Sequence, residues 1–151
     1  MIEGLGFRYY WATEGLREED LNYQPTSESQ STLVTLRHIH GLSRTIAEAI
    51  QGKPSIRPAV KAPEDLQTLR QETLEFLKKA AIELADKTDQ ELKELHIVFD
   101  RSGKQSQFPI WNLINGPITD AIYHTGQVVS FRRTSGNPIY KGVNVFLGVK
   151  N

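Results

Sequence analysis

Apolar side chains recur at three- and four-residue intervals through most of this chain, the spacing of one face of an α-helix. The first such element is predicted from about Ile2 to Leu16. Leu5, Tyr9 and Ala12 share a face, Phe7, Tyr10 and Trp11 flank it, and Gly4 and Gly6 weaken its start. Pro25 then forces a connection, because proline cannot continue a helix and restricts Gln24 before it. A second helix is predicted from an N-cap at Ser29 or Ser31, with Leu36, Ile39, Leu42, Ile46 and Ile50 as its stripe and Gly52 and Pro54 as its stop. Lys53 to Ala62 reads as loop. The third helix opens at Pro63-Glu64-Asp65, proline and acids suiting a helix start, and Leu66, Leu69, Thr73, Phe76, Leu77, Ala80 and Leu84 carry it to about Asp86. Leu95 to Asp100 alternates and is followed by Ser102-Gly103, which predicts a short strand or hairpin. The fourth helix is predicted from Pro109 to about Ser135, stopped by Gly136-Asn137-Pro138, with Pro117 either kinking it or dividing it after Gly116. Four long helices and one short hairpin predict an all-α four-helix bundle in a single domain over residues 1–151.

Composition narrows the function classes. Lys+Arg and Asp+Glu both number 18, so the chain lacks the basic excess of a nucleic-acid binder. There is no cysteine, which excludes disulfides, thiolate metal sites and a cysteine nucleophile together. No stretch approaches the roughly 18 apolar residues of a membrane span, and no basic-then-apolar leader opens the chain; the expectation is a cytoplasmic protein with no membrane partner.

Candidate chemistry centres on Asp120-x-x-x-His124. On a helix these two project from one side, close enough to share an ion. Leu113, Pro117, Gln127 and Phe131 fall on the same side, which predicts that this face points inward and that a metal would offset the cost of a buried aspartate. A third ligand would come from the second helix, where His38 and His40 lie on opposite flanks of the apolar stripe; periodicity does not choose between them. His96 has no ligand-spaced partner and reads as structural. Arg132 and Arg133 end the fourth helix, where basic residues complement the dipole or meet an anionic substrate. Trp11 and Trp111 read as core.

The run Leu21-Asn22-Tyr23-Gln24-Pro25, then Leu36-Arg37-His38-Ile39, then Asp120-x-x-x-His124-x-Gly126-Gln127 with Arg132-Arg133 and Gly136-Asn137-Pro138 resembles the DinB/YfiT-like superfamily. That pattern has an L-x-[WY]-x-P connection before a ligand histidine, and later H-x-x-x-H-x-G-Q followed by R-x-x-G-x-P. The resemblance implies a metal held by His38, Asp120 and His124, and so prefers His38 to His40. This chain departs from the pattern at Asp120, where histidine is usual; the set becomes two imidazoles and a carboxylate. The resemblance further implies one divalent ion, nickel or zinc ahead of iron, and chemistry on small-molecule substrates with a low-molecular-weight thiol as cosubstrate, as in bacillithiol S-transferases and mycothiol-dependent maleylpyruvate isomerase. An S-transferase is the first expectation; a metal-dependent hydrolase and a non-catalytic, stress-associated metal-binding dimer are the alternatives.

A homodimer is also expected. Ile114, Ile118, Ala121, Ile122 and Val129 form a second apolar arc on the fourth helix. If the tail's Ile139, Val143, Val145, Phe146 and Leu147 cover only part of it, a two-fold partner would cover the rest.

Overall fold

Capping decides where the long helices begin. In the computed structural model, which describes residues 1–151, the chain runs α1 (Ile2–Thr13), α2 (Glu18–Leu21), α3 (Thr32–Ile50), β1 (Ser55–Arg57), α4 (Leu66–Ala85), α5 (Asp89–Glu94), β2 (His96–Arg101), β3 (Lys104–Pro109), a π-helical turn (Ile114–Ile118), α6 (Thr119–Thr134), and a tail hairpin of β4 (Val143–Asn144) and β5 (Val149–Lys150). Ser31 caps α3, its Oγ accepting from the Val34 amide. Asp65 caps α4 by accepting from the Thr68 amide, so that helix starts three residues after Pro63 and the acids there lie outside it.

α3 packs on both α4 and α6, and α1 packs on the same two helices. Between them lies a core built from Leu5 and Tyr9 of α1, Leu36, Ile39, Ile46 and Ile50 of α3, Leu69 and Leu77 of α4, and Ala121 and Val128 of α6. Each fully buried Leu or Ile contributes about 1.5–3 kcal/mol. Every one of these positions belongs to the stripes expected from the sequence except those of α6.

Two features amend the all-α reading. The hairpin is real: β2 and β3 pair antiparallel across a tight turn in which Ser102 (φ 54°) and Gly103 (φ 86°) both take the left-handed conformation that a two-residue hairpin requires. The segment expected to be loop contributes β1, which pairs parallel with β2 and makes a three-stranded sheet in the order β1-β2-β3. Buried Ile97 fastens the sheet to the core.

The fourth expected helix is broken. Gly116 leaves the helical path (φ −101°, ψ −109°) and Pro117 follows inside the π-helical turn. Regular helix resumes only at Thr119, while Pro109 ends β3. The core face of α6 is Ala121, Thr125, Val128 and Arg132, with Ile118 ahead of it. The arc expected to need a second cover is therefore not, for the most part, a separate surface: Ile118 and Ala121 are core, Ile122 and Val129 pack against it, and Ile114 in the π-helical turn is 49% exposed. Nor does the tail cover it. Tyr140 and Lys150 sit on Trp11, the Arg8 guanidinium donates to the Val145 carbonyl, and Phe146 is 91% exposed. No helix is long and apolar enough to cross a membrane.

Candidate metal centre

Consecutive residues on a helix are about 100° apart. Asp120 and His124 each stand one residue before a core position, Ala121 and Thr125, and His38 stands one before Ile39. All three therefore project from the flanks of their helices into the seam between α3 and α6, where core gives way to solvent. Asp120 occupies the first turn of α6, at the end where the helix dipole favours a negative side chain.

His38 Nε2 lies 3.1 Å from Asp120 Oδ2, and His124 Nε2 lies 3.3 Å from Asp120 Oδ1. The three donor atoms all fall within 4.8 Å of one another. Ligand atoms about 2.0–2.2 Å from a shared ion sit roughly 3 Å apart, so the carboxylate already stands at ligand spacing from both imidazoles. The His124 ring is oriented from behind: its Nδ1 and the Gln127 Oε1 are 2.7 Å apart, which makes Nδ1–H the donor and leaves Nε2 free as a ligand. Among the family-signature residues, Gln127 thus has a defined task.

The site is more open than its apolar neighbours in sequence suggested. His38 and Asp120 are each more than two-fifths exposed, so the aspartate is not buried and needs no ion to offset burial. A cleft of about 510 Å³ adjoins the imidazoles, walled by Val34, Thr35, Gln127 and Phe131. A small molecule can reach both imidazoles from it.

His40 takes no part. It is buried on the opposite flank of α3, its Nε2 3.0 Å from Glu72 Oε2 and its ring against Phe76 of α4. His96 is exposed, with Nδ1 bonded to the Glu94 carbonyl, as its structural reading expected. Trp111 is corrected: it is 58% exposed beside the π-helical turn, because the break at Gly116 takes it off the core-facing helix. Trp11 is half-buried among Phe7, Tyr10 and Tyr140.

Arg132 is not an anion site, and complementing its own helix dipole is not its main work. It is buried and caps a different helix. Its Nη1 donates to the carbonyls of Ala12 (3.1 Å) and Glu14 (2.7 Å) at the end of α1, and its Nε donates to Asn137 O (2.8 Å). Gly136 (φ 81°) turns the chain so that the Asn137 amide closes on the Arg132 carbonyl, and the Asn137 side chain donates to Gly15 O and to Asp20 Oδ2. Asp20, also buried, accepts from Arg17, Ser135 and Asn137. The Gly-Asn-Pro segment that reads as a helix stop therefore locks α6 to the α1–α2 connection. Arg133 is exposed at the end of α6, where it suits the dipole.

Comparison with known proteins agrees with this architecture. The DinB family profile matches residues 8–140. A crystal structure of a DinB-like protein from Bacillus subtilis superposes with a TM-score of 0.63 at 18% identity, covering 89% of this chain and 90% of that one. No curated protein matches the chain. The family match takes in α3, the π-helical turn and α6 together with the locking segment, and the chain belongs to the DinB family.

Proposed function

We propose that the chain holds one divalent metal ion on His38 Nε2, the Asp120 carboxylate and His124 Nε2, and that it joins a low-molecular-weight thiol to a small electrophile. The observation that carries the reading is the convergence of these three donor atoms within 4.8 Å of one another, with both imidazoles lining an open cleft. The donor set fits the ion. Two neutral imidazoles and one carboxylate offset part of a dication's charge and suit zinc, nickel or iron(II). Our ranking puts nickel or zinc first, with the family resemblance as its support. Three protein ligands leave coordination positions open, and a bound cation would supply the Lewis acidity that holds an external thiol as its thiolate.

The chain's own part is to build and shape that position. Gln127 fixes the His124 tautomer, Asp120 bridges the two imidazoles, and Val34 and Phe131 give the cleft an apolar wall against which an electrophile can rest. The thiol must come from outside, since the chain has no cysteine. In the overall reaction the thiol loses its proton, its sulfur forms the new bond to carbon, and the leaving group departs with its electron pair. The cleft walls add no carboxylate that would serve as base for water, which favours thiol transfer over hydrolysis.

The test is conjugation of bacillithiol to monochlorobimane, followed by fluorescence. Metal-loaded protein should accelerate it, and a chelator or the His124→Ala substitution should return the rate to background. No acceleration by metal-loaded protein with bacillithiol, cysteine or glutathione would leave the chain a metal-binding protein without this activity.

A further inference from the structure

A second recess lies where the hairpin meets the π-helical turn. It measures about 350 Å³, and Phe99, Phe108, Trp111 and Pro117 are among its walls. Phe99 and Phe108 meet edge to face with centroids 6.1 Å apart. Phe108 and Trp111 are 41% and 58% exposed, so aromatic surface is left open around a concavity rather than folded away. Asn112 also lines the recess. Its Oδ1 is buried, and its side chain makes no hydrogen bond to the protein. A buried carbonyl oxygen without a donor is costly, and its position in an aromatic recess fits a ligand that brings the donor.

An independent oddity borders the same recess. Arg57, Arg101 and Lys104 are cross-strand neighbours, Arg57 paired with Arg101 and Arg101 with Lys104, so three cations stand in one row across the sheet. Like charges directly opposite destabilise a sheet. Arg57 is braced by donating to Thr45 Oγ1, whereas Arg101 and Lys104 have no carboxylate partner. Both arginines lie on the Phe99 ring, with Cζ 4.9 and 6.0 Å from its centroid. The aromatic recess thus has an unpaired acceptor within and an uncompensated positive edge.

We propose that this recess binds a small planar organic anion carrying a hydrogen-bond donor, its ring among Phe99, Phe108 and Trp111, its donor at Asn112 Oδ1 and its carboxylate turned to the Arg101 edge. The recess shares no lining residue with the cleft at the imidazoles, and as a binding site it stands without the metal.

The probe is 4-hydroxybenzoate, titrated calorimetrically into chelator-stripped protein, with Trp111 emission read in a Trp11→Phe background. Saturable binding that quenches Trp111 is expected. Asn112→Leu should weaken it at least about tenfold while raising the melting temperature, because the substitution removes both the ligand's acceptor and the protein's unpaired oxygen. Arg101→Gln should weaken 4-hydroxybenzoate about fivefold or more and leave 4-hydroxybenzyl alcohol unchanged, since only the former is charged. His124→Ala should bind as wild type does, so failure of the metal reading leaves this result standing. No saturable binding up to about 10 mM probe, equal affinity in both recess variants, or binding lost with His124→Ala would overturn the proposal.

Discussion

Replacing Arg132 with methionine is expected to lower the melting temperature by roughly 6–20 °C, measured by circular dichroism. Methionine fills much of the space but donates nothing, leaving the carbonyls of Ala12, Glu14 and Asn137 unpaired at a buried junction. Each abandoned acceptor costs about 1–3 kcal/mol, so three of them, two only part-buried and open to water, cost about 3–5 kcal/mol together. In a chain of this size one kcal/mol moves the midpoint by about 2–4 °C. The same junction sets the acid limb of stability. The Arg17 guanidinium holds the Asp20 carboxyl well below the usual carboxylate range against the upward push of burial, with Ser135 and Asn137 adding to the effect. A folded-state pKa below the unfolded one contributes stability that is complete above the ordinary aspartate value, about 3.9, and is lost as pH falls from there toward the folded value. Asp20→Asn should therefore lower stability at neutral pH and flatten its decline below about pH 4. An unchanged acid limb would mean that Asp20 is not the group responsible.

The second large effect concerns which histidine of α3 matters. His38→Ala and Asp120→Ala should each weaken divalent-metal affinity by more than the roughly 10–100-fold typical of losing a residue that only orients a ligand, and His124→Ala should abolish it. Gln127→Leu removes only the orienting partner and should fall within that lesser range. His40→Ala should retain full affinity, because His40 faces Glu72 and Phe76 across the other seam, although losing that buried contact should cost stability. Titration of chelator-stripped variants by calorimetry separates the two. Normal affinity in the His38 variant beside loss in the His40 variant would reverse the assignment.

The parts of this molecule that could be read from residues alone are those whose physics is local. α3 and α4 carry uninterrupted 3.6-residue stripes that supply much of the core, and Ser31 caps α3 as one of its two candidate caps, although α4 starts at Leu66 and not at Pro63. The β2–β3 turn announces itself through Ser102-Gly103. The core face of α6 is not legible in the sequence because it includes Thr125 and Arg132. Thr125 is buried by returning its hydroxyl to the Ala121 carbonyl, and Arg132 by bonding to another helix, so neither reads as apolar. With the true stripe disguised, Ile122 and Val129 read as a separate apolar arc although both pack against the core. β1 is illegible for a different reason. It is three residues between Pro54 and Pro58, and its strand partner lies some forty residues on, a pairing with no local signature. At the site, the Asp120–His124 pair follows from helical spacing. Choosing His38 over His40 needed the family pattern, because both flank the same stripe and only the placement of α4 and α6 separates them.

The most direct test of the metal centre is elemental analysis of the wild-type protein and its His124→Ala variant, purified in parallel without added metal or affinity tag. The account predicts about one divalent transition-metal ion per chain in the wild type, nickel or zinc predominating, and none in the variant. Equal metal content in the two proteins, or a wild type that neither carries a divalent ion nor takes one up after stripping and reconstitution, would contradict it.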